Sequence, residues 1–121
     1  MRFISILTFD RNANPHEDPQ TPARMEKLVA ELRANGTLID TGGRDSDMLE
    51  LAITRKNGRT TVTDGPFAES KEVVGGYALL EFKDRDVAIA VTNRFLEALG
   101  ADATCYLHEV SAVPELSSQS A

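Results

Sequence analysis

Two segments of this chain are apolar on both faces of an extended strand, and few folds can accommodate a pair of them. In residues 2–9, Phe3, Leu7 and Phe9 point one way while Ile4, Ile6 and Thr8 point the other. In residues 76–83, Tyr77 and Leu79 share one face, and Ala78, Leu80 and Phe82 share the opposite one. A strand that is apolar on both faces belongs in the middle of a sheet, covered from two sides. Each of these segments is followed by a stretch of helical periodicity. Met25, Leu28, Val29 and Leu32 form the first stripe; Val87, Ala88, Val91, Phe95, Leu96 and Leu99 form the second.

The remaining elements follow from local signals. Residues 10–20 are polar and broken by prolines, a loop. Thr21 reads as the N-cap of the first helix with Pro22 at its first position, and Gly36 ends it. Residues 37–41 form a short strand running into Gly42-Gly43. Residues 48–55 and 59–63 form a hairpin turned by Lys56-Asn57-Gly58, since Asn-Gly tolerates positive φ. Asp84 or Asp86 caps the second helix, Gly100 stops it, and residues 103–110 form the last strand. The expected order is β-α-β-(hairpin)-β-α-β. It predicts an α+β domain over residues 1–110, ferredoxin-like βαββαβ with an inserted β-hairpin, followed by a Ser-rich disordered tail at 111–121. Two helices cover one side of such a sheet. The other side is also apolar and needs a cover, and a second subunit packed sheet to sheet is the simplest one. A homodimer is therefore expected.

A chain of 121 residues is one domain, large enough to bury a core without staples. Its net charge of −6 argues against direct nucleic-acid or anionic-membrane binding, which needs clustered Lys and Arg. The single cysteine, Cys105, excludes an internal disulfide. No apolar run is long enough to span a bilayer, and the one at the N-terminus is too short for a signal peptide. Cytoplasmic residence is the expectation.

Residues 63–77 read Thr-Asp-Gly-Pro-Phe-Ala-Glu-Ser-Lys-Glu-Val-Val-Gly-Gly-Tyr. The tetrapeptide Asp64-Gly65-Pro66-Phe67, the charged residues Glu69, Lys71 and Glu72, and then Gly75-Gly76-Tyr77 resemble the signature of the DGPF-domain proteins, a branch of the YCII-related superfamily. The resemblance covers residues 2–110. It implies a dimeric α+β barrel, and it allows a regulatory role, since DGPF-type genes often neighbour those of alternative sigma factors. One region departs from the pattern: Arg44-Asp45-Ser46 stands where relatives carry a Leu and a Pro. The His–Asp pair of some relatives is not carried onto this chain.

Two readings of the motif stand side by side. In the mechanical one, Asp64 accepts backbone N–H bonds, Pro66 fixes the turn and Phe67 anchors it. In the chemical one, Asp64 is a general base at the mouth of a polar cleft, with Arg44, Glu69, Lys71 and Tyr77 binding a small ligand. Lys71 beside Gly75-Gly76 could hold an anion where the backbone approaches closely. His16, in a loop, and His108, on an edge strand, lack metal-ligand spacing, and Cys105 reads as a small buried hydrophobe. No nucleotide fingerprint is present, so neither a metal nor a cofactor is expected. A ligand-binding dimer, enzymatic or not, and a non-catalytic partner protein are the two functional readings.

Overall fold

A computed structural model describes residues 1–12, 18–45, 47–67 and 71–111. Its elements are β1 (Arg2–Asp10), α1 (Thr21–Ala34), β2 (Leu38–Gly43), β3 (Leu51–Lys56), β4 (Arg59–Asp64), β5 (Glu72–Glu81), α2 (Arg85–Leu99) and β6 (Thr104–Val110). His16, Glu69 and the tail from residue 112 lie outside the described residues.

The main sheet has the order β2-β5-β1-β6, so the two doubly apolar strands are its centre. All its neighbours are antiparallel: Ile4 stands opposite Leu79 on one side and His108 on the other. The strands sort into two faces. Phe3, Ser5, Leu7, Ala78, Leu80 and Leu107 lie beneath the helices, where Leu28, Leu32, Leu38, Leu80, Phe82 and Ala88 make the core. Phe82 is the most buried of these, 2% exposed, and its ring packs at a tilt against Phe3 with centroids 5.8 Å apart. The opposite face carries Ile4, Ile6, Val74, Tyr77, Leu79 and Tyr106 and has no element over it among the described residues.

The helix ends show what the sequence resolves well and what it does not. Asp84 is the cap of α2: its carboxylate accepts the Val87 N–H at 2.9 Å. Gly100 closes that helix at φ 68°, and Gly36 leaves α1 at φ 81°. Thr21, by contrast, lies inside the first turn of α1, and Gln20 is the flanking residue. The reason is an upstream turn. Asp18 accepts the Gln20 N–H through its side chain and the Thr21 N–H through its carbonyl. The Thr21 hydroxyl is thereby free to donate to the Leu99 carbonyl, tying the two helices.

A second correction concerns β5, which starts at Glu72 and not at residue 76. Gly75 and Gly76 are therefore strand residues, at an irregularity where the pairing of Leu7 with Gly76 gives way to that of Thr8 with Val74. Side chains are excluded there. A Cβ on Gly76 would sit 2.6 Å from the Gly42 carbonyl oxygen, and one on Gly75 would run into the Phe9 ring.

The hairpin β3–β4 forms a separate two-stranded sheet, pairing Leu51 with Asp64 and Ile53 with Val62 around Asn57-Gly58. It leaves the body between the end of β2 and the start of β5, and nearly all of its residues are exposed.

Candidate functional site

The helices do not sit flush on the sheet. Between them lies a cavity of about 650 Å³. Its floor is Ser5, Leu7, Phe9, Ala78 and Cys105; its roof is Met25, Val29 and Leu32 from α1 with Val91 and Phe95 from α2. The wall toward the end of β2 is made of backbone at Gly42, Gly43, Gly75 and Gly76, and beyond it come Arg44, Asp45 and Met48. Asp45 and Met48 are exposed, so this end faces solvent. The volume is in the range of small-molecule sites, and so is the chemistry: mostly apolar side chains with a few polar groups.

Arg44 is the best-anchored of those polar groups. Its side chain is one-quarter exposed; Nη2 lies 2.6 Å from Glu50 Oε2 and Nη1 donates to the Leu49 carbonyl. Its own N–H donates to the Gly75 carbonyl. The Glu50 carbonyl in turn accepts the Gly65 N–H at 2.7 Å, and a Cβ on Gly65 would press on the Glu50 side chain at 2.8 Å. The Asp64-Gly65-Pro66 turn, with its cis Gly65–Pro66 bond, is thus clamped through Glu50 to Arg44 at the cavity rim. Arg11 adds a second tie, donating to the Phe67 carbonyl while its N–H bonds the Lys71 carbonyl.

The structure separates the residues that the sequence grouped. Arg44 and Tyr77 border the cavity; Asp64 and Lys71 are exposed and do not. Asp64 ends β4 on the hairpin, opposite Leu51. The phenol of Tyr77 turns to the open sheet face and donates to Asp40 at 2.7 Å, which holds its pKa above the usual phenol value. Tyr106, on the same face, donates to Glu72 and is raised for the same reason. Glu69 and His16 lie outside the described residues, and His108 is exposed on β6. The cavity that the described residues form lies between sheet and helices, is mostly apolar, and carries the Arg44 guanidinium at its rim.

Sequence reasoning missed Cys105 and Ser5 as cavity residues. Burial pushes the Cys105 thiol up, with a hydrogen bond to Ser5 opposing it, so the thiol is a poor nucleophile. The alternation of β1 and β6 would have placed both on the helix face; that the helices stand off from this face is not visible in the periodicity. Among the described residues no cluster of His, Cys, Asp and Glu could hold a metal ion, and no helix is long and apolar enough to cross a membrane.

A four-stranded antiparallel sheet with two helices on one face is the ferredoxin-like α+β architecture, and the comparisons agree. The YCII-related domain matches residues 1–98. The chain belongs to the YCII-related family. No curated protein matches it in sequence. Its structure is similar to that of 5-chloro-2-hydroxyhydroquinone dehydrochlorinase (TftG) from Burkholderia phenoliruptrix AC1100, solved in complex with 2,5-dihydroxybenzoquinone. The TM-score is 0.57 at 16% identity, covering 95% of this chain and 98% of that one. CutA1 from Pyrococcus Horikoshii aligns with a TM-score of 0.42 at 18% identity, over 98% and 92% of the two chains. At 16% identity the likeness to TftG is one of fold. None of these matches bears on sigma-factor signalling.

Proposed function

We propose that this protein binds a compact apolar or aromatic molecule carrying an anionic or strongly accepting edge, in the cavity between sheet and helices. The observation that carries this reading is the pairing of an apolar chamber of about 650 Å³ with a partly buried, geometrically fixed guanidinium at its solvent end. Apolar walls supply affinity through burial, and a planar donor fork supplies orientation. Binding is the part that the described residues support. The lining thiol is raised by burial, and the lining carboxylate, Asp45, is solvated. That the TftG relative is an enzyme complexed with a small quinone makes one-ring phenols and quinones the first compounds to try. In this reading the Asp64-Gly65-Pro66-Phe67 turn, with Lys71 beside it, is a clasp that fixes Arg44 through Glu50.

The open sheet face supports the second part of the proposal, a homodimer. Ile4, Ile6, Leu79, Tyr77 and Tyr106 form an apolar surface that a second copy would cover. A non-catalytic role in protein contact is the alternative reading; the exposed apolar residues of the hairpin favour it.

Thermal-shift screening of phenols, aromatic acids and 2,5-dihydroxybenzoquinone tests the binding proposal. A ligand at 100 times its dissociation constant stabilises the fold by about 2.7 kcal/mol. The expected hit slows maleimide labelling of Cys105 and disappears in Ala78→Phe, which fills the floor, while persisting in Asp64→Asn. Hits that survive Ala78→Phe, or that need Asp64, would move the site out of the cavity.

A further inference from the structure

We propose that Glu50 sets the charge selectivity of the cavity. By neutralising Arg44 it directs the site to uncharged aromatic molecules that offer a carbonyl, amide or phenol oxygen, and turns aromatic carboxylates away. The inference rests on the binding reading above and narrows its ligand class.

The cations of the chain decide the first step. All 13 of its lysines and arginines fall within the described residues, and of these only Arg44 borders the cavity. An anionic group that entered would have this one guanidinium, or none, to meet it. Apart from Asp45, the rest of the described lining is apolar or neutral. A carboxylate left unpaired against such walls loses its hydration without replacement, which is costly.

Arg44 is already committed. Its Nη2 lies 2.6 Å from Glu50 Oε2, a short charge-assisted contact, and the two side chains are only 24% and 35% exposed. Partial burial lessens the screening that makes most surface pairs weak. The backbone holds Glu50 in place, since its carbonyl accepts the Gly65 N–H at 2.7 Å. Asp45, next in the chain and also at the rim, has no ion pair among the described residues. The mouth therefore sets one cation against two carboxylates, a formal charge of −1. A ligand carboxylate would have to displace Glu50 or approach against that charge.

What Arg44 keeps is hydrogen-bonding capacity. A guanidinium has five N–H donors; Glu50 engages one at Nη2 and the Leu49 carbonyl one at Nη1. The other donors suit a neutral acceptor, whose desolvation costs far less than that of an ion. Glu50 itself does not line the cavity, so it acts through Arg44 as a positioning residue.

Benzamide and benzoate test this, being nearly equal in shape and different in charge. Their dissociation constants can be measured near neutral pH and at low salt, by titrating the backbone amide signals of Gly42, Gly43 and Arg44. The wild-type chain is expected to bind benzamide about tenfold more tightly than benzoate. Glu50→Gln should abolish or reverse that preference, and Glu50→Asp should keep it. Asp45→Asn should shift the ratio in the same direction as Glu50→Gln, by a smaller factor. Added salt should narrow the wild-type ratio. The ratio is the readout because a partly unfolded variant weakens both probes alike. A wild-type ratio of one or in favour of benzoate, or a ratio that Glu50→Gln does not move, would overturn the role of Glu50 and leave the cavity as a binding site. Binding that survives Ala78→Phe, or failure of both probes to bind the wild type and the Gln and Asn variants, would overturn the binding reading and this inference with it.

Discussion

The sheet-and-helix body and the hairpin draw on the same residues, β-branched and aliphatic side chains in alternation, yet their fates differ. In the body, Leu80 and Phe82 reach a core because α1 and α2 lie over that face. In the hairpin, Ile53 and Val62 alternate just as regularly and stay in solvent. Alternation specifies which side chains share a face. Whether that face is covered depends on an element elsewhere in the chain, or outside it. Among the described residues, the apolar strip of the hairpin and the open face of the sheet are two apolar surfaces with no element over them.

The sharpest way to break this contrast is to truncate one residue from each region. Phe82→Ala should cost about 3–5 kcal/mol in chemical denaturation, as a cavity forms under both helices. Ile53→Thr should stay within about 0.5 kcal/mol at dilute, monomeric concentrations, because Ile53 is 66% exposed. A comparable loss at both positions would mean that the hairpin is packed onto its own body. A loss at Ile53 that grows with protein concentration would place its partner on a second copy.

Smaller effects sharpen the picture of the body. Asp84→Ala removes the cap of α2 and should lower stability by about 1 kcal/mol, read from the same denaturation curves, with Asp84→Asn retaining most of it. The smallest effect is a titration. The chain has two tyrosines and no tryptophan, so ultraviolet absorbance reports them cleanly. Both phenols are raised, by hydrogen bonds to Asp40 and to Glu72. A raised acid keeps its neutral form longer when folded. The stabilisation is therefore fully present below about pH 10, the ordinary phenol value, and is lost as pH rises through the elevated one. Asp40→Asn should bring one of the two transitions back toward pH 10; two unchanged transitions would remove Asp40 as the cause.

Much of the architecture was legible from residue order. The central strands, both helices, the Asn57-Gly58 turn and the stops at Gly36 and Gly100 are local or periodic signals, and the structure follows them. The misplaced cap at Thr21 shows where locality fails: Asp18 sets the turn first, and the Thr21 hydroxyl serves a contact to Leu99 made across the fold. The site was less legible. Arg44 could be named from Gly42-Gly43-Arg44, but its lock on Glu50 requires knowing how β2, the loop after it and the hairpin meet. Asp64 and Lys71 could be named as candidates because they are charged neighbours of a recognisable turn. Their exposure was unreadable, since a solvated carboxylate and a cleft carboxylate are spelled alike.

The glycines of β2 and β5 give the solvent end of the cavity a surface without rotamers. Where Gly42, Gly43, Gly75 and Gly76 form the wall, a bound molecule would meet peptide planes held by strand pairing, and no side chain there could swing aside to admit a larger guest. Elsewhere in the chamber Met25, Leu32 and Phe95 can repack around different shapes. Selectivity for ligand size would then be graded along the cavity: permissive under the helices and abrupt at the glycine wall.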